Sequence, residues 1–159
     1  LVEKDWCSFG HMFEQRTFEA SKEWSPVFLQ FLDAVGQIHR QFPQAFEFSE
    51  DFLVLLADAV YARWFPTFIG DCEQVRESAY FAQATEATEK GVSFISFWVF
   101  AAHFFSEAIR NPSYAPSACP TILVPVFSTQ SLELWAKLFL RNCEFSKPPG
   151  FAAFAMAAP

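Results

Sequence analysis

Large apolar side chains recur every three or four residues along much of this chain, and that spacing limits the fold more than any other feature. Phenylalanine alone supplies 22 of the 159 residues, and aromatic residues make up 19%. Side chains repeated at this interval lie on one face of an α-helix. The sequence therefore predicts a mainly α-helical fold whose helices bury aromatic faces.

Three such faces are expected in the N-terminal part of the chain. The first contains Val2, Trp6, Phe9 and Phe13, with Gly10 as a break or kink. The second contains Phe28, Phe31, Leu32, Val35 and Ile38, and the third contains Phe52, Leu56, Val60 and Trp64. Trp6, Trp64 and Trp135 are accordingly expected to be core residues.

Proline and small polar residues mark the ends of two of these helices. Ser25 is the expected N-cap of the second helix, with Pro26 at its first position. Pro43 ends that helix, because the residue before a proline is disfavoured in the helical conformation. Ser49 is the expected N-cap of the third helix, which we expect Pro66 to close.

The C-terminal part predicts a less regular structure. Residues 71–90 are expected to form a solvated helix or surface excursion. Residues 92–109 are expected to form a buried helix, because their uninterrupted apolar part is shorter than the about 20 residues that a membrane span needs. Residues 111–120 form a loop, and residues 121–124 a short extended segment. A last helix is expected through Leu132, Trp135, Leu138 and Phe139, ending near Asn142.

Composition and charge exclude several classes of function. A hydrophobic content of 52% is ample for a packed core, and a formal charge of −7 makes nucleic acid or an anionic bilayer a poor partner for the surface as a whole. The cysteines at positions 7, 72, 119 and 143 form no Cys-x-x-Cys pair, and the three histidines are scattered. We therefore expect reduced thiols and no metal site.

Six segments, taken in chain order, resemble one protein family. They are LVEKDWCSFGHMFEQR (residues 1–16), SPVFLQFLD (25–33), QFPQAFEF (41–48), TFIGDCE (67–73), NPSY (111–114) and SLELW (131–135). These segments resemble the myotubularins, phosphoinositide 3-phosphatases with a cysteine-phosphatase fold. The chain departs from that family in carrying Gly36 where a Trp is usual and a shorter segment at residues 17–24.

The resemblance implies a position within the family's catalytic domain. Residues 1–145 resemble the C-terminal part of that domain, the helical lobe of an α/β fold, and residues 146–159 form a tail rich in Pro and Ala. The segment that carries the family's nucleophile precedes the part that residue 1 resembles. We therefore expect the chain to be a fragment of a longer protein.

The chemistry of a cysteine phosphatase supports this expectation. The nucleophilic thiolate lies in a loop whose arginine, six positions later, binds the phosphate. The residues six positions after the four cysteines are Phe13, Ser78, Pro125 and Pro149. No catalytic residue is therefore expected in this chain, which should be inactive by itself.

Arg16 is the candidate substrate-binding residue. In myotubularins two basic residues, four positions apart, follow the Phe-Gly-His element and bind the 5-phosphate of the inositol ring; the matching positions here are Met12 and Arg16. Helical spacing would place both on one face. Because Met12 cannot donate a hydrogen bond, the resemblance implies use of the 3-phosphate lipid and leaves use of the 3,5-bisphosphate in question.

Two neighbouring residues invite a catalytic reading that the sequence does not favour. His11 is expected to be a hydrogen-bonded structural residue rather than a proton donor. Cys7 lies on an apolar face next to Glu3 and Asp5, and we expect an inert thiol.

Two functions remain open at this point. The first is part of a phosphoinositide 3-phosphatase acting on phosphatidylinositol 3-phosphate or the 3,5-bisphosphate, without a cofactor. The second is a lobe of a catalytically dead myotubularin that regulates an active partner. The resemblance also implies a cytoplasmic protein peripheral to endosomal membranes. Its expected partners are the phosphoinositide headgroup, the rest of the phosphatase domain and another myotubularin in a homo- or hetero-oligomer.

Overall fold

The computed structural model describes residues 1–17, 22–78, 95–104 and 107–141. Within these ranges the chain is mainly helical and contains no β-strand; one isolated antiparallel bridge joins Phe48 to Arg110. The predicted helical fold class is confirmed.

The N-terminal segment is helical but wider than predicted. Val2–Ser8 form a π-helix, and Gly10 then takes a φ of 81°, a conformation that costs glycine little. This turn separates the π-helix from α1, Phe13–Thr17. The placement of Phe9 on the buried face was wrong, because the wider helix and the turn leave its ring 77% exposed.

Helix α2, Val27–Gln41, has the predicted face and end. Phe28 and Leu32 are buried, and the helix stops at Phe42, whose backbone has left the helical region before Pro43. Its start was predicted one residue too early. Pro26 occupies the N-cap position, and the Ser25 side chain makes no capping bond there.

Helix α3, Glu50–Tyr61, ends earlier than Pro66 had suggested. Ser49 is its N-cap residue, as expected, but the hydroxyl donates to the Ala108 carbonyl at 3.2 Å instead of capping α3. After Tyr61, Arg63 takes a φ of 57°, which turns the chain and leaves Trp64 60% exposed. The prediction of Trp64 as a core residue was therefore wrong.

A tight turn links α3 to the next helical segment. Pro66–Phe68 form one turn of 3-10 helix, Gly70 takes a φ of 79°, and residues 73–78, labelled α4, are helical. A Cβ atom on Gly70 would approach a methyl carbon of Val75 to 2.8 Å, so glycine is required twice over. The rest of the helix predicted over residues 71–90 lies outside the described residues.

Helix α5, Phe97–Phe104, lies within the predicted buried helix. Its Phe97 is fully buried, whereas Val99 is 58% exposed. Among the described helices, none has the length and apolar character needed to cross a membrane.

The last part of the chain is less helical than predicted. A 3-10 turn spans Pro116–Ala118, and residues 121–124 form no strand. Helix α6 is short, Ala136–Phe139, so Leu132 precedes it and is 46% exposed. Trp135 and Leu138 are buried as predicted. The helix ends at Phe139, with Leu140 as its C-cap residue, which is earlier than the end predicted near Asn142.

Aromatic rings join these elements into one core. Phe13 of α1 packs against Phe28 of α2 at 5.2 Å between ring centroids and against Phe68 at 5.5 Å. Phe68 in turn lies 5.4 Å from Phe97 of α5. Edge-on and tilted ring pairs at these distances add to the hydrophobic stabilisation of burial.

Two glutamines of α2 hold the C-terminal segment against this core. The amide of Gln37 donates to the Glu133 carbonyl at 2.8 Å and accepts from the Glu133 N–H at 3.3 Å. One turn later, Gln41 makes the same two-way contact with Val126, at 2.9 and 2.7 Å. Between Glu133 and α6, Trp135 packs over Gly36, whose position would place a Cβ 3.9 Å from the ring.

Substitution of the two tryptophans should separate core from surface. Trp135→Ala removes a side chain that is 1% exposed and should lower the free energy of unfolding by about 3–5 kcal/mol. Trp64→Ala is the matched control and should change it by less than about 1 kcal/mol. Urea unfolding followed by circular dichroism measures both; equal losses would contradict the described packing.

Candidate functional site

The segment that carries Met12 and Arg16 is anchored to the hydrophobic core through Phe13. Phe13 has no exposed surface, and its helix α1 is held at its start by Asp71, whose side chain accepts a hydrogen bond from the Gln15 N–H at 3.0 Å. A carboxylate at this position satisfies a free N–H and interacts favourably with the helix dipole. The Thr67–Glu73 segment thus supports the candidate site directly.

A second contact fixes the outer side of α1. Arg63 donates to Glu14 at 2.8 Å, and the left-handed backbone at Arg63 brings its side chain to this position. Both side chains are partly exposed, so the pair contributes at most about 1 kcal/mol. Its main effect is to set the orientation of the short helix.

The guanidinium of Arg16 lies at the surface of α1 and points toward the start of α2. Its Nη1 donates to the Glu23 carbonyl at 2.8 Å and lies 3.4 Å from the Glu23 carboxylate. Within the described residues, Nε and Nη2 of Arg16 have no hydrogen-bond partner. That edge of the guanidinium has the geometry for a bidentate contact with a phosphate.

Met12 lies one helical turn before Arg16, as the spacing predicted. The Arg16 N–H donates to the Met12 carbonyl at 2.9 Å, although Met12 itself precedes the first residue of α1. Both residues are half-buried. The thioether adds no donor to the site, so Arg16 is the cation that this pair of positions supplies.

His11 lies in an aromatic enclosure rather than in a hydrogen-bond network. Its ring is 4.7 Å from the rings of both Trp6 and Phe13, and its Nε2 is buried with no partner among the described residues. Burial lowers the pKa of His11, Arg16 lowers it further, and Asp71 opposes them. The sequence predicted a hydrogen-bonded His11, and at Nε2 no such bond is found among the described residues. Because the pKa of His11 is lowered, its ring is neutral at neutral pH.

Cys7 is inert by position, as predicted. Its side chain is 3% exposed, and its Sγ contacts the Thr67 carbonyl at 3.8 Å. Burial, reinforced by Glu3, raises the pKa of the thiol to about 12. The thiolate is therefore scarce at any physiological pH.

Arg76 is a buried cation that sequence reasoning missed. It is 8% exposed, and its guanidinium donates to the carbonyls of Cys7 and Gly70. A cation at the carbonyl end of the π-helix interacts favourably with the negative end of that helix's dipole and anchors the chain just before the turn at Gly10. Its position in α4, distant in sequence, gave no signal of this role.

Glu23 and Asp71 were also missed as site residues. Asp71 belongs to a segment that the sequence singled out, but only the fold shows that it caps α1. Glu23 reaches Arg16 because the Ser25 N–H donates to the Arg16 carbonyl at 3.0 Å, which draws the two chain segments together. Among the described residues, no group of three or more His, Cys, Asp or Glu side chains is arranged to hold a metal ion.

Alkylation should distinguish the buried thiol from an exposed one. With iodoacetamide at pH 8, the native chain should be modified at Cys72, which is exposed, and protected at Cys7, because its pKa is about 12 and its side chain is buried. Peptide mapping by mass spectrometry measures the two sites. Denaturation should abolish the protection; equal native rates at both sites would contradict the buried position of Cys7.

The sequence of this chain is similar to those of known proteins. Residues 1–77 match the family described as Myotubularin-like phosphatase domain. The chain is 38% identical to myotubularin of Rattus norvegicus over 146 residues, 89% of this chain and 22% of the relative. It is 40% identical to phosphatidylinositol-3,5-bisphosphate 3-phosphatase MTMR2 of Mus musculus over 153 residues, 93% of this chain and 22% of the relative.

The matched region contains the supports of the site as well as Arg16. The π-helix, α1, the turn at Gly70 and the carboxylate of Asp71 all fall within residues 1–77. The chain spans about a fifth of the length of these relatives. Over most of its length the chain is similar to the myotubularins.

Proposed function

We propose that this chain is the helical, non-catalytic lobe of a phosphoinositide 3-phosphatase domain, in which Arg16 binds a phosphate of the lipid headgroup. The observation that carries the proposal is the Nε and Nη2 edge of Arg16, which has no hydrogen-bond partner among the described residues, on a helix anchored by Phe13 and Asp71. A fixed arginine that presents two parallel donors suits a phosphate better than a mobile surface charge does. The substrate class follows from the family.

In this proposal residues 1–145 form the lobe and residues 146–159 a tail outside it. The nucleophile and its phosphate-binding loop belong to another part of the phosphatase domain, because no cysteine of this sequence has an arginine six positions later. The reaction in the complete domain is thiolate attack on the 3-phosphate, followed by hydrolysis of the cysteinyl phosphate. The lobe contributes substrate recognition and not bond cleavage.

The substrate in this proposal is phosphatidylinositol 3-phosphate, with the 3,5-bisphosphate used less well. The mouse relative is named for the 3,5-bisphosphate. Here the position of the first expected cation is Met12, so one charge-assisted contact is missing from a 5-phosphate site. We propose a cytoplasmic protein that acts peripherally at endosomal membranes and pairs with another myotubularin.

A second function is favoured by the same substitution. Residues that bind substrate are free to change once turnover is not required, and Met12 is such a change. In this alternative the lobe belongs to a catalytically dead myotubularin that regulates an active partner. Activity of a domain that contains this lobe together with a cysteine loop would separate the two.

The purified chain should release no phosphate from phosphatidylinositol 3-phosphate or the 3,5-bisphosphate. The physical reason is that none of its four cysteines has an arginine six positions later to bind the phosphate. A colorimetric phosphate assay on lipid vesicles, with an active 3-phosphatase as positive control, measures this. Turnover above buffer would overturn the assignment of a non-catalytic lobe.

Substitutions at Met12 and Arg16 test the proposed phosphate site. Met12→Arg restores one charge-assisted contact, worth about 1.5–3 kcal/mol, and should strengthen binding to 3,5-bisphosphate vesicles by about 10- to 100-fold. Arg16→Ala should weaken the same binding. Vesicle co-sedimentation measures both, with vesicles of unphosphorylated phosphatidylinositol as the control; unchanged binding in both variants would show that these positions do not contact phosphate.

A further inference from the structure

We propose that Glu23 is a specificity-determining residue that biases the site against a second phosphate on the inositol ring. Its carboxylate competes with that phosphate for Arg16. This inference rests on the proposed function, in which Arg16 binds a headgroup phosphate, and it adds a residue that the family resemblance did not suggest.

The backbone around Glu23 is tied to Arg16 independently of the Glu23 side chain. The Ser25 N–H donates to the Arg16 carbonyl at 3.0 Å, and the Glu23 carbonyl accepts from Arg16 Nη1 at 2.8 Å. Any side chain at position 23 leaves both contacts in place. The orientation of Arg16 is therefore separable from the charge of Glu23.

The carboxylate of Glu23 adds a negative charge at the same nitrogen. Its Oε2 lies 3.4 Å from Nη1, with the Glu23 side chain 64% exposed and the Arg16 side chain 29% exposed. An ion pair this open to water contributes little to stability, so an incoming anion can displace it. Until it is displaced, it lowers the positive potential that a phosphate would meet at Arg16.

The two candidate lipids respond differently to this contact. A 3,5-bisphosphate brings a phosphate, with about −1.5 to −2 charges near neutral pH, to the Nε and Nη2 edge of Arg16, where the carboxylate at Nη1 repels it unless the ion pair is displaced. A 3-monophosphate presents a neutral hydroxyl at that ring position and leaves the ion pair intact. Glu23 therefore weakens binding of the bisphosphate and not of the monophosphate.

Charge-neutral substitution tests the proposal on the full chain. Glu23→Gln keeps the backbone contacts and should strengthen binding to vesicles that contain the 3,5-bisphosphate by about two- to fivefold, the range of an exposed ion pair, with no gain on 3-phosphate vesicles. Glu47→Gln is the matched control. It changes the net charge equally, and the Glu47 side chain is 65% exposed, but its carboxylate lies 4.0 Å from Arg110 and not beside Arg16, so it should give no such gain.

The double variant Arg16→Gln/Glu23→Gln shows whether the effect acts through Arg16. Compared with Arg16→Gln alone, it should show no gain for the bisphosphate; a gain that persists would mean a general charge effect and overturn the proposal. Equal gains in Glu23→Gln and Glu47→Gln, or on both lipids, would overturn it as well.

The same measurements separate this proposal from the function on which it rests. If Arg16→Gln weakens bisphosphate binding while Glu23→Gln leaves it unchanged, only the role of Glu23 fails. If Arg16→Gln has no effect, or no variant binds the bisphosphate, the phosphate site itself fails. A gain with inorganic phosphate but not with bisphosphate vesicles would assign the anion to free phosphate and overturn the lipid specificity.

Discussion

Phe13 lies at the contact on which the rest of the candidate site depends. Its ring is enclosed by Phe28 and Phe68, so the short helix α1 is held by its buried face even though five residues cannot form a stable helix by themselves. Arg16, three positions later, inherits its position from that ring. Changes in the packing of Phe13 would therefore move Arg16 as well.

Carboxylates divide two tasks around this helix. Asp71 accepts a hydrogen bond from an N–H group at the start of α1, where its negative charge stabilises the helix. It makes no hydrogen bond with the Arg16 guanidinium among the described contacts. Glu23 faces the guanidinium itself, where a negative charge changes what the cation can bind. A net charge of −7 says nothing about this division, because the effect of each carboxylate depends on which positive group it meets.

Periodicity predicted the helices, and proline predicted where α2 ends, because both act through neighbouring residues. The errors arose where backbone turns decide the outcome. Trp64 fits the spacing of α3, yet the left-handed conformation at Arg63 turns its ring into solvent. Arg16 was found through a resemblance, whereas Glu23 and Arg76 act through contacts that only the folded chain creates.

The glutamine contacts of α2 have a consequence for how the sequence of this chain can vary. Gln37 and Gln41 bind the backbone N–H and carbonyl of Glu133 and Val126, not their side chains, so any residue except proline can make the same contacts. The two contacts require that the backbones of residues 126 and 133, seven positions apart, reach two glutamines that are one turn apart on α2. The two contacts therefore tolerate side-chain changes at positions 126 and 133, whereas an inserted or deleted residue between them would break one of them.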